Sequence, residues 1–220
     1  MKTWRIVLPV ASVLAFGCPL SKDERDAARP AERSQTEASR PKIVVLGDSL
    51  TAGYGISAGE AFPALLQWRV EREGYRFEVV NAGVSGDTSA SGLRRVDWAL
   101  EGDVRILVLA LGANDGLRGL PPDQMKANLS AILEKARDRG IKVLLTGMEA
   151  PPNYGPAYTR RFREAFSDLA REHDLVLYPF LLKDVAGIEA LNQPDGVHPN
   201  AAGARVIAEN LWPTLETMLR

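Results

Sequence analysis

The sequence predicts an α/β domain in which a five-stranded parallel sheet is covered by helices on both faces. Five short, nearly all-apolar segments alternate along the chain with amphipathic ones. Continuous apolar strands, as opposed to alternating ones, are expected where a sheet is buried on both sides. A chain of 220 residues with 45% hydrophobic side chains can also close one such core without disulfides.

The elements follow in order. KIVVLG at 42–47 opens the domain as a strand, its run of Ile43, Val44, Val45 and Leu46 ended by Gly47 and Asp48. Later strands are FEVVN at 77–81, VRILVLAL at 104–111, IKVLLTG at 141–147 and LVLY at 175–178. Helices are expected over about 59–73, 88–99, 123–139, 157–173 and 200–218. Pro199 is expected in the first turn of the last helix, where a missing amide loses no helical bond.

The first forty residues differ in kind. Lys2 and Arg5 precede an apolar stretch from Ile6 to Gly17, the length of a signal-peptide core and too short to span a bilayer. Ala15-Phe16-Gly17 places small residues at the cleavage-determining positions, and Cys18, the only cysteine, follows at once. The expected organisation is a signal peptide at 1–17, a disordered tether at 18–41 with Cys18 as a lipidation site, and a folded domain at 42–220. Residues 19–41 carry five charges of each sign, three prolines and no aromatic residue, too little apolar surface to offset ordering. With 27 basic against 28 acidic residues and no basic block in the body, nucleic acid is an unsuitable partner.

Several polar residues fall beside strand ends. Ser49 follows the first strand, at the carboxyl edge where open α/β sheets bind ligands. A serine nucleophile needs a base. The chain holds two histidines. His173 ends a predicted helix in the polar context AREHD, which suits a helix-end role. His198 lies in QPDGVHPN with Asp195 three residues earlier, a spacing that admits either an oriented base or a turn with capping duty.

The Ser49 amide, the Gly86 amide in NAGVSGDTS and the Asn114 side chain in LGANDG are candidate donors to a developing oxyanion, although Asn114 alone also reads as an Asx turn. All four sites, the Asp195/His198 pair included, are read as falling just after strands and so on one sheet edge. Asp48 is read as fixing its turn through loop amides. The first loop matches neither G-x-x-x-x-G-K-[ST] nor G-x-G-x-x-G, which argues against a nucleotide or flavin binder.

These blocks, GDSLTAGYG at 47–55, NAGVSGDTSASG at 81–92, LGANDGLRG at 111–119, PPNYGPAY at 151–158 and DGVHPNAAG at 195–203, resemble in order the GDSL, or SGNH, hydrolase superfamily. Within it the likeness is to the bacterial thioesterase, lysophospholipase and arylesterase branch. The resemblance implies a flavodoxin-like three-layer α/β/α fold and hydrolysis of carboxylic esters or thioesters through an acyl-enzyme. Ser49 would be the nucleophile, His198 the base and Asp195 its orienter, with Ser49, Gly86 and Asn114 forming the oxyanion hole. The branch often has GGND where this chain has Gly112-Ala113-Asn114.

No cofactor or metal is expected. The expected partner is a small acyl ester or thioester met by a monomer outside the cytoplasm, in the periplasm or on a membrane through an N-terminal lipid. Loops 116–122 and 149–158 are expected to rim the cleft, Gly119 adding flexibility and Arg118 either solvated or meeting an anion. A carbohydrate O-acetyl esterase would use the same residues but calls for more aromatic platforms than Tyr54, Tyr154 and Tyr158. An exported binding module would leave the complete set of nucleophile, base and donors unexplained.

Lipidation requires the Cys18 thiol. Cys18→Ser is therefore expected to abolish lipid attachment and to move the protein from membrane to soluble fractions or leave an uncleaved precursor. Mass spectrometry of the mature N-terminus in the native host checks this, and an intact Met1 on a soluble protein would contradict it.

Overall fold

The structure, a computed structural model, describes residues 40–220. The expected signal peptide, Cys18 and nearly all of the tether lie outside the described residues.

Five parallel strands run β1 (Lys42–Gly47), β2 (Glu78–Gly83), β3 (Val104–Ala110), β4 (Lys142–Thr146) and β5 (Val176–Tyr178), in the spatial order β2-β1-β3-β4-β5. The interior strands explain the continuous apolar runs: Ile43, Val44, Val45 and Leu46 of β1 and Ile106, Leu107, Val108 and Leu109 of β3 are all buried. β2 and β5 lie at the sheet edges, and Glu78 and Val176 there are exposed.

Helices α2 (Phe62–Arg72) and α7 (Ala201–Thr217) pack together, while α3 (Ser89–Ala99), α5 (Pro122–Asp138) and α6 (Pro156–Glu172) pack in series. Right-handed crossovers account for the two layers. The chain steps from β1 outward to β2, then reverses past β1 to β3, so the connecting helices land on opposite faces. In α5 the buried set Met125, Leu129, Ile132, Leu133 and Ala136 follows the helical period and meets the sheet.

Some helix boundaries differ from the sequence expectation for identifiable reasons. Residues 58–60 form a separate 3-10 turn closed by a Ser57/Glu60 capping box. Pro63 lacks the amide that the residue 59 carbonyl would need in a helix begun there, whereas at the second position of α2, which starts at Phe62, it loses no helical bond. Pro199 is not in the first turn of α7. Asn200 caps that helix, its Oδ1 accepting the Ala202 and Gly203 amides at 2.9 and 3.0 Å, and Pro199 lies ahead of it in a bridge to Asn192.

Two short helices interrupt what the sequence suggested were loops: α1 (Ser49–Ala52) after β1 and α4 (Ala113–Leu117) after β3. The first sits so close to the neighbouring strand end that a Cβ on Gly83 would overlap the Ala52 amide nitrogen and lie 2.8 Å from Ala52 Cα and the Thr51 carbonyl carbon. Gly83→Ala should therefore push α1 off the sheet. The expected cost is about 1–3 kcal/mol, a fall in melting midpoint of roughly 2–4 °C per kcal/mol for a domain of this size. Thermal denaturation of the variant checks it, and an unchanged midpoint would mean that α1 yields freely.

Candidate active site

Ser49 is the first residue of α1, and the turn that presents it is assembled from its neighbours. Asp48 caps the helix, Oδ1 accepting the Leu50 amide at 3.0 Å. Gly53 closes it in the left-handed region at φ 75°, and the amides of Gly53 and Tyr54 both donate to the Ser49 carbonyl at 3.1 and 3.0 Å. Gly47 lets α1 fold back: a Cβ there would lie 2.7 Å from Thr51 Cβ and 2.9 Å from the Ala110 carbonyl oxygen.

The Ser49 hydroxyl lies 3.0 Å from His198 Nε2, and His198 Nδ1 lies 2.7 Å from Asp195 Oδ2. Asp195 Oδ1 accepts the Val197 and His198 amides at 2.9 and 3.0 Å. The His198 amide, the His198 ring and the Val197 amide, in that order, pull the Asp195 carboxyl down to about 2. It is thus ionised at neutral pH and accepts a hydrogen bond from Nδ1–H, which leaves Nε2 free to accept from the serine. The Tyr54 ring stands 4.7 Å from the imidazole, tilted by 43°.

The expectation that the Asp195/His198 pair follows a strand directly is corrected by the topology. β5 ends at Tyr178 on the far edge of the sheet, with β4 and β3 between it and β1. The chain returns through residues 179–200, including a 3-10 turn at Glu189–Leu191, before it can reach Ser49.

Gly86 and Asn114 lie after β2 and β3, the two neighbours of β1. Among the described residues neither the Ser49 amide nor the Gly86 amide donates to any group. Asn114 Nδ2 reaches Asp48 Oδ2 at 3.4 Å, which leaves its second hydrogen unassigned. Unspent donors of this kind can meet a negative oxygen.

Residues outside the sequence-based set hold these loops. Asp115, buried beside Asn114, accepts the Ser89 amide at 2.8 Å and the Ser89 hydroxyl at 2.6 Å, and Asn128 donates to the same hydroxyl at 3.0 Å. This network ties α4 to the start of α3. Arg95 donates to Asp87 Oδ2 at 2.6 Å and to the Gly47 carbonyl at 2.9 Å, fastening the Gly86 loop to the end of β1. Ser89, Asp87 and Asp115 lie within or beside the quoted motifs, so their positions were visible in the sequence. Their partners were not.

Arg118 is neither free nor solvated alone, because it donates to the Gly86 carbonyl at 2.9 Å. Gly119 does not serve as a loose hinge: it sits at φ 63°, and a Cβ there would lie 2.6 Å from Tyr154 Cζ. Tyr154 in turn donates to the Leu117 carbonyl at 3.1 Å, and Tyr158 to the Leu120 carbonyl at 2.7 Å, binding the two rim loops together. His173 caps α6 and meets the Ser130 hydroxyl at 2.9 Å, the helix-end role its context suggested.

The model of the GDSL-like lipase/acylhydrolase family matches residues 45–206. The chain is 44% identical over 184 residues to the esterase TesA of Pseudomonas aeruginosa, covering 83% of this chain and 92% of that one. It is 37% identical over 185 residues to thioesterase 1/protease 1/lysophospholipase L1 of Escherichia coli K12, covering 83% and 86%. A crystal structure of TesA superposes with a TM-score of 0.78 at 44% identity, over 80% of this chain and 99% of that one.

Asp48 is the electrostatic opposite of Asp195. Burial pushes its carboxyl up to about 6, against the lowering effects of the Leu50 amide, the Asn114 side chain and the charge of His198. A native pKa above the unfolded one means that the folded state holds the extra proton between about pH 4 and 6, so stability falls as pH rises through that window. Asp48→Asn removes the ionisation. Urea denaturation at pH 4 and pH 7.5 should show the variant gaining about 3 kcal/mol relative to the parent at the higher pH. A difference independent of pH would contradict the buried, proton-holding state.

Proposed function

Because the chain belongs to the GDSL-like lipase/acylhydrolase family and is an ester-cleaving serine hydrolase, we propose that Ser49, His198 and Asp195 carry its chemistry. The observation that supports this assignment is the continuous hydrogen-bonded line from Asp195 through His198 to the Ser49 hydroxyl. Ser49 Oγ attacks the ester or thioester carbonyl as His198 Nε2 takes its proton, and Asp195 stabilises the imidazolium through Nδ1. The oxyanion is met by the Ser49 amide, the Gly86 amide and Asn114 Nδ2, donors that need little rearrangement when charge appears. His198 then protonates the leaving group. Water repeats the sequence on the acyl-enzyme and frees Ser49.

The substrate is an ester with an apolar acyl group. Tyr54, Val84, Leu117, Tyr154 and Val197 are exposed, and each sits in one of the loops that carry or rim the site. Apolar surface gathered in this way suits an acyl chain. The relatives named thioesterase and lysophospholipase fit the same class of substrate. Export through residues 1–17 and lipid attachment at Cys18 would place the domain at a membrane or in the periplasm; this part of the reading rests on the N-terminal sequence alone.

Purified protein assayed with an aryl acyl ester tests the assignment. Ser49→Ala is expected to abolish most hydrolysis with an unchanged circular dichroism spectrum, and Asp195→Asn to lower kcat by about 10²–10⁴-fold through the wrong imidazole tautomer. A folded Ser49→Ala protein with near-parental turnover would remove Ser49 from the mechanism.

A further inference from the structure

The nucleophile and the base reach each other from opposite ends of the chain, and besides the packing of the Tyr54 ring on His198 few contacts join their loops. Among the described residues, two hydrogen bonds connect the segment from Ser49 to Ile56 with the segment from Asn192 to Asn200. One is the contact between His198 Nε2 and Ser49 Oγ itself. The other is donated by Gln193, whose Nε2 gives one hydrogen to the Tyr54 carbonyl at 2.6 Å and the other to the Pro199 carbonyl at 3.0 Å.

We propose that Gln193 is a positioning residue that holds the His198 loop at working distance from Ser49. Its backbone amide also donates to the His198 carbonyl at 2.8 Å, so this one residue grips two successive carbonyls of the base's loop, those of His198 and Pro199. On the other side, Tyr54 donates its own amide to the Ser49 carbonyl at 3.0 Å, which carries the tie directly to the nucleophile's turn. Gly55 makes room for it. That residue stands at φ 77°, and a Cβ there would lie 2.8 Å from Gln193 Cδ and 2.9 Å from Nε2.

The inference rests on the proposed roles of Ser49 and His198. In that cycle the bond between Nε2 and Oγ is given up each time the proton moves and the acyl-enzyme forms. The Gln193 bridge is then the hydrogen bond still joining the two segments while His198 turns from base to acid. A displacement of about 1 Å between reacting groups can cost on the order of 10²-fold in rate, so losing the bridge should be read in kcat.

Gln193→Leu keeps the volume and removes both donors. Gln193→Asn keeps the donors one methylene too short to span the two carbonyls, and reads the same loss if the leucine variant fails to fold. With an aryl acyl ester as substrate, kcat is expected to fall by about 10–100-fold while KM stays within about threefold. The rate of Ser49 phosphonylation by an aryl alkylphosphonate, which depends on His198 accepting the Ser49 proton, should fall in parallel, with the melting midpoint close to that of the parent.

Ser49→Ala is measured alongside. If Ser49→Ala stays active, the assignment of the nucleophile is what fails. If Ser49→Ala is dead but a folded Gln193 variant keeps parental kcat and phosphonylation rate, or loses only KM, the positioning role is overturned.

Discussion

The organisation of this protein follows from the place of β1 in the strand order β2-β1-β3-β4-β5. Because the chain leaves β1 in one direction and passes it in the other, β1 ends at the reversal point of the sheet, where the loops after neighbouring strands diverge and leave a crevice. Register reinforces this, since Gly47 is paired with Gly83 on one side and Ala110 on the other. Three loops therefore begin at one level along a single edge, and Ser49, Gly86 and Asn114 need only short extensions to converge. His198 has no such advantage. It arrives from the far edge by a long return, and its placement depends on specific hydrogen bonds.

Two aspartates in one site have their carboxyls pushed in opposite directions by their surroundings. Asp195 is solvent-accessible and accepts two backbone amides, which keeps it charged and able to orient an imidazole. Asp48, beside Ser49, is buried, and its carboxyl is pushed up to about 6. Its bonds to the Leu50 amide and Asn114 direct its oxygens to structural work, shaping the Ser49 turn and placing the asparagine amide.

The loops that carry Gly86 and Asn114 are tied down by residues other than these two. Arg95 spans from α3 to Asp87 and the end of β1, and Asp115 reaches from α4 to the first turn of α3. The Asp115 carboxyl at that helix start also meets the positive end of the α3 dipole. The Ser49 and Gly86 amides can thus remain without a protein partner while their loops are tied down, as the oxyanion role proposed for them requires.

By itself the sequence determined the parallel α/β architecture and the strand positions, because residues buried on both faces, such as Ile43 to Leu46, leave an unbroken apolar signal. It also determined the local chemistry: a serine after a strand, a histidine three residues from an aspartate, and glycines where turns close. The tertiary structure decided which of these meet. That Asp195 and His198 return from the far edge, that Asp48 and Asn114 share a hydrogen bond, and that Gln193 bridges to Tyr54 are contacts between residues far apart in the chain. No local period encodes such contacts. They depend on strand order, on the close approach that Gly47, Gly55 and Gly83 permit, and on the directions in which caps such as Asn200 send the chain.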